Sequence, residues 1–372
     1  MPEQEAKLTR RQLLRGALIG GSGLLAAYAV GCGDDDKPAS PTASPAATAT
    51  RPPSTPSAAP AATPGVMRWR RIEAVGASGA LPPVRRDHSL VTDGRTLFVF
   101  GGRNDSGTFG DLWHLDTQAN EWVQTAPGGP AARFGHNAVY DTPGQRVLVF
   151  GGQAGGSFFN DVWAIESHGG WRQLDAANGP AQRYGAASAL NVDGRLLVSH
   201  GFTHQGRFDD TWSLDASAAW TDVSPGANRP VKRCLCRGAW DTNRNRFLMF
   251  GGQTDGTPFL GDLWAFDGQT WTEITTEPKP SPRNFYAMAE TDPGRIALFG
   301  GNTVDAPGPM NDLWFFDSQT DTWTLAQPEG ETPSARYGHD AVWLPETRRL
   351  IVFGGHDTSG DLNDLWELSI PA

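Results

Sequence analysis

The sequence reads as an all-β fold, a six-bladed β-propeller preceded by an export signal and a disordered linker, on three observations. A Gly pair recurs at a period of about fifty residues, an Asp and a Trp follow each pair some ten residues on, and a second Trp comes seven to nine residues later. Fourteen Trp and 45 Gly in 372 residues need such a repeat to explain them, because neither type is placed cheaply at random. With only 3 Cys the chain is no disulfide scaffold. A net charge of −10 disfavours a phosphate-binding surface, so no nucleic-acid partner is expected.

The first element, residues 1–31, carries Arg10 and Arg11 ahead of an apolar, Gly-rich run, the layout of a twin-arginine export signal. That run is too short and too rich in Gly for a membrane span. It ends at Ala29-Val30-Gly31-Cys32, which resembles a bacterial lipobox. The resemblance implies that Cys32 is acylated and anchors the exported protein at the outer side of the cytoplasmic membrane or in the periplasm. A plain cleaved signal with an incidental Cys is the alternative. Residues 32–65 are mostly Asp, Pro, Ala, Ser and Thr, which bury too little surface to fold and read as a tether.

Residues 66–372 hold the repeat. Gly pairs stand at Gly101-Gly102, Gly151-Gly152, Gly251-Gly252, Gly300-Gly301 and Gly354-Gly355, with His200-Gly201 degenerate in third place. The Asp and Trp that follow are Asp111 and Trp113, Asp161 and Trp163, Asp210 and Trp212, Asp262 and Trp264, Asp312 and Trp314, Asp364 and Trp366. This pattern resembles the Kelch repeat family, which implies four short strands per repeat. In the second repeat they are expected at Phe134 to Tyr140, Arg146 to Phe150, Asp161 to Ile165 and Trp171 to Leu174. The sixth repeat lacks its outer strand, whereas Trp69-Arg70-Arg71-Ile72 matches Trp171-Arg172-Gln173-Leu174. The N-terminal strand is therefore expected to complete the sixth blade and close the ring.

Each repeat also carries an Arg before its inner strand: Arg85, Arg133, Arg183, Arg233, Arg283 and Arg336. These six could ring a carboxylate or phosphate ligand, or each could pair with its own blade's Asp. Three residues on, one slot holds His88, His136, Ala186, Cys236, Tyr286 and His339 around the ring. Cys236 followed one blade later by Tyr286 resembles the galactose oxidase family of copper radical oxidases. That resemblance implies a Cys236–Tyr286 thioether as radical cofactor, copper held by Tyr286 and His339, and oxidation of a small alcohol or aldehyde by dioxygen. His88 and His136 are candidates for the remaining copper ligands. Six blades against the family's seven, and Gly338 where the family places a second Tyr, are departures from it. The alternatives are buried packing residues without any cofactor, some other metal, or a disulfide.

Two other functions remain open from the sequence. One is a non-enzymatic module for a carbohydrate or a protein partner, using the polar loops Arg103 to Ser106, Thr203 to Arg207, Gln253 to Asp255 and His356 to Asp357. The other is a sialic acid mutarotase-like activity, for which no acid–base pair can be assigned.

Overall fold

The computed structural model describes residues 65–371 apart from 126–127, 167–169, 257–258 and 307. The export signal, Cys32 and nearly all of the expected tether lie outside the described residues. From Arg68 to Ser369 the elements are all strands, grouped in six antiparallel sheets of four principal strands each. In the second blade the order from the axis outwards is Asn137–Asp141, Arg146–Phe150, Val162–Glu166 and Trp171–Leu174.

Ring closure is as the repeat predicts. Arg68–Ile72 pairs antiparallel with the last strand, placing Trp69 opposite Leu368 and Ile72 opposite Leu365. The first and last parts of the propeller thus share one sheet, and neither can leave without exposing the other's ladder.

The second blade's inner strand starts three residues later than expected, at Asn137 rather than Phe134. Gly135 has φ 60°, which turns the chain out of the extended region, so Phe134 keeps only an isolated bridge to Gln153.

Apolar burial is distributed over six seams between neighbouring blades. One cluster joins Phe299 and Phe315 of the fifth blade to Leu350 and Trp366 of the sixth, another joins Phe250 of the fourth to Ile296 and Phe316 of the fifth, and the other four seams are built alike. A blade has two apolar faces and can bury both only between neighbours, so the closed ring is what makes six small sheets stable.

Strand alternation sends the loop entering each inner strand and the hairpin after each Gly pair to one end of the ring. That end is the hairpin face.

Candidate functional site

The six repeated Arg do not face a ligand. Each is at most 1% exposed and grips its own blade's Asp with two nitrogens, as Arg85 does with Asp111 at 2.8 Å and 2.8 Å. Arg133–Asp161, Arg183–Asp210, Arg233–Asp262, Arg283–Asp312 and Arg336–Asp364 repeat the arrangement. One guanidinium nitrogen also donates to the carbonyl of the first residue of the Gly pair, Gly101 for Arg85. The indole N–H of the Trp two residues on donates to the same Asp, at 2.6 Å from Trp113 to Asp111. Burial opposes ionisation of Asp111, Asp161, Asp210, Asp262 and Asp364, but the Arg and Trp hydrogen bonds outweigh it and hold these carboxyls below their ordinary value. Of the two readings open for these arginines, the ion pair within each blade is the one found: they fasten the hairpin to the blade.

The slot residues do not assemble a copper centre either. Each reaches into the seam with the preceding blade, so equivalent positions place Cys236 in one apolar seam and Tyr286 in the next. The Tyr286 hydroxyl accepts from the Arg237 main-chain N–H at 2.9 Å and donates to the Phe250 carbonyl. His339 Nε2 bonds the Phe299 carbonyl at 3.1 Å, and His136 Nε2 meets the Ser89 hydroxyl at 2.9 Å. His88 sits edge-on to Phe353, with ring centroids 5.3 Å apart. Among the described residues no three His, Cys, Asp or Glu come together to hold a metal ion. Burial pushes the Cys236 thiol up to about 12 and the Tyr286 phenol above its ordinary value, keeping both protonated. The Tyr286 hydroxyl and one nitrogen each of His136 and His339 are engaged in blade contacts, the Cys236 thiol and Tyr286 phenol stay protonated, and this set does not fit the group. Cys234, for which the sequence suggests no role, is free and buried with Phe134, Tyr184 and Leu235.

What these contacts build is a rigid mouth around the axis on the hairpin face. One residue per blade, just before the slot, donates its main-chain N–H to the carbonyl of its counterpart in the preceding blade. Asp87 donates to Gly338, Gly135 to Asp87, Gly185 to Gly135, Leu235 to Gly185, Phe285 to Leu235 and Gly338 to Phe285, over 2.7–3.4 Å. All six have φ between 54° and 65°, a conformation that costs Asp87, Leu235 and Phe285 strain and that the ring holds in place.

Just inside this ring lies a well of about 30 Å³ lined by Asp87, Tyr184, Leu235, Arg237 and Phe285, among others. Asp87 Oδ2 accepts from Arg103 Nε at 2.8 Å, but its buried Oδ1 and the buried Tyr184 hydroxyl have no hydrogen-bond partner. The Arg237 main-chain N–H serves Tyr286, and the charge of its guanidinium acts on Asp340. Sequence reasoning passed over all three residues.

Next to the ring stands one residue pair per blade, and no two blades carry the same pair. The residue after the structural Arg is Arg86, Phe134, Tyr184, Cys234, Asn284 or Tyr337, facing Arg103, Gln153, Phe202, Gln253, Asn302 or His356 across a two-residue bridge. Arg86 joins the first blade's Asp105 to the sixth blade's Asp361, which also meets His356 Nδ1 at 2.8 Å. Arg103 lies over the Phe134 ring, 4.3 Å from its centroid.

Residues 63–239 and 216–372 match the KLHDC2/KLHL20/DRC7 Kelch-repeats domain. The chain is similar to Adagio-like protein 3 of Oryza sativa subsp. japonica, 28% identical over 81% of this chain and 42% of the relative. It is also similar to Adagio protein 3 of Arabidopsis thaliana, 27% identical over 81% of this chain and 43% of the relative. The Leucine-zipper-like transcriptional regulator 1 homolog of Drosophila melanogaster is 26% identical over 77% of this chain and 31% of its own length. The chain therefore spans less than half the length of these curated relatives. With the repeat, the closed ring and the family match in agreement, this chain belongs to the Kelch-repeat family.

Proposed function

We propose that the chain is a non-enzymatic binding module that takes its ligand on the hairpin face, over the axial mouth. The observation that supports it is the division of labour within each repeat. The Arg, Asp, Trp and Gly positions are the same in almost every blade and are spent on the fold, whereas the bridge pairs beside them vary from blade to blade, and one bridge residue, Tyr184, lines the well. Of the seven large apolar residues left exposed among the described residues, Leu81, Val84, Val231 and Val304 lie in loops of this same face.

A photo-crosslinking residue at exposed His204, on the third-blade hairpin, tests the reading against one at exposed Gln319, in a turn at the opposite end. Capture of one discrete ligand by the first and not the second is expected. Equal capture from both ends contradicts it.

The export signal and Cys32 support presentation of this module at the outer side of the cytoplasmic membrane. Radiolabelled palmitate should enter the wild-type chain and not Cys32→Ala; equal labelling overturns the anchor.

A further inference from the structure

The axial well names a chemical class for the ligand, an inference that rests on the binding-module reading. Three polar residues line it from different blades, and two of them are left incomplete. Asp87 Oδ1 is a buried acceptor without a donor and the Tyr184 hydroxyl a buried donor without an acceptor, while the half-buried Arg237, whose charge acts on Asp340, lines the same well. Asp87 and Tyr184 are 3% and 4% exposed, so neither can turn to bulk water for relief. A buried polar atom left unpaired costs about 1–3 kcal/mol, which favours whatever completes the set.

The set selects on charge. A carboxylate entering the well would gain Arg237 but meet the Asp87 carboxylate, which already has its own counterion in Arg103. An ammonium would gain Asp87 but meet Arg237. A neutral hydroxyl satisfies all three, accepting from Tyr184 and Arg237 while donating to Asp87 Oδ1. The size agrees, since a well of about 30 Å³ admits one water-sized group and not a larger head. The Phe285 ring is half-buried at the edge of the well, 5.9 Å from the Tyr337 ring, which in turn lies 5.1 Å from His356. Such a half-exposed aromatic border beside a single polar anchor suits a ring that is apolar on its face and hydroxylated at its rim.

We propose that the well receives one hydroxyl of a neutral sugar, with Asp87, Tyr184 and Arg237 as its three partners and the sugar ring lying against Phe285. Recognition is then a matter of one inserted hydroxyl held from three blades, with the variable hairpins deciding what the rest of the glycan must look like.

The test uses saturation-transfer NMR on the intact protein with the methyl glycosides of galactose, glucose and mannose, beside N-acetylneuraminate and glucosamine. At least one neutral glycoside should bind at least tenfold more tightly than the acid and the amine. Tyr184→Phe and Arg237→Leu should each weaken it about tenfold without lowering the melting temperature. Tyr184→Phe removes one oxygen and serves if Arg237→Leu fails to fold. Absence of any neutral glycoside signal, equal binding of the charged sugars, or full binding by Tyr184→Phe overturns the proposal, as does a high-resolution structure with glycoside present and only an ordered water in the well. A peptide that binds through the same face would overturn the sugar assignment while leaving the binding-module reading intact; loss of the His204 crosslink contrast would remove both.

Discussion

The main-chain N–H of Asp87 donates to the carbonyl of Gly338 at 2.7 Å, joining the first blade to the sixth at the axis. It is one of six such bonds, and together they make the mouth a closed loop of backbone whose geometry no single blade can change alone. The same residue lines the well and leaves its buried side-chain Oδ1 without a hydrogen-bond partner, so the ring that fixes the fold also positions the group proposed to meet the ligand.

Substitution in the ring should be severe even for a methyl group. A Cβ on Gly135 would come within 2.2 Å of the Tyr184 ring at φ 60°, where side chains are already strained. Gly135→Ala is expected to cost about 2–4 kcal/mol. Gly155→Ala, also at positive φ but with open space around it, should cost only the backbone strain of about 1–2 kcal/mol. Urea midpoints compare the two.

The blade clamp predicts a second loss and its pH dependence. Asp111→Asn leaves the Arg85 guanidinium buried without its counterion, which should cost about 3–5 kcal/mol. Because the folded-state value of Asp111 lies below its unfolded one, its contribution is complete above about pH 4 and lost as pH falls through the lowered folded value. The variant should therefore lose least, relative to wild type, at the acid end of a stability–pH series.

His88 predicts a change in the opposite direction. Burial holds it neutral well below its ordinary value, and neither ring nitrogen has a partner among the described residues. The unfolded chain takes up a proton below about pH 6.5 that the folded chain refuses, so each such His removes about 1.4 kcal/mol per pH unit. His88→Leu should leave stability near pH 8 within about 1 kcal/mol of wild type. It should flatten the decline between pH 6.5 and 5, read as the proton uptake on unfolding.

Ring closure predicts a large effect from a short deletion. Trp69 and Ile72 are 3% and 7% exposed, and each contributes about 1.5–3 kcal/mol by burial. Removing residues 66–72 should also bare the Gly360–Ser369 strand edge and lower the melting temperature by about 10 °C or more. An unchanged melt would contradict closure by this strand.

The fold was legible because its signal is written six times. The Gly pairs fall at positive φ, the Asp and Trp spacing places both on one hydrogen bond, and the Trp69-Arg70-Arg71-Ile72 match located the closing strand. The start of the second blade's inner strand was missed because the turn at Gly135 is imposed by the axial ring, a contact between blades that no single repeat encodes. The same limit applies to function. Cys236 and Tyr286 occupy equivalent positions as their spacing says, yet equivalence puts them in successive seams and gives the Tyr286 hydroxyl to Phe250. Asp87, Tyr184 and Arg237 lie far apart in the chain and meet only when the ring closes. The available signal was that Asp87 breaks the Gly at its position in the second, third and sixth repeats, and that Arg237 stands where those three repeats have Asn137, Ala187 and Asp340.

The repeated inner-strand slot holds neighbouring blades together, and the mouth is the part proposed to bind. Intact mass of the domain, matured aerobically with copper, tests the role of the slot most directly. Structural roles for Cys236 and Tyr286 predict the mass of the unmodified chain, with both side-chain hydrogens retained and no stoichiometric copper. A loss of two hydrogens that disappears in Cys236→Ser, accompanied by bound copper, would contradict the account.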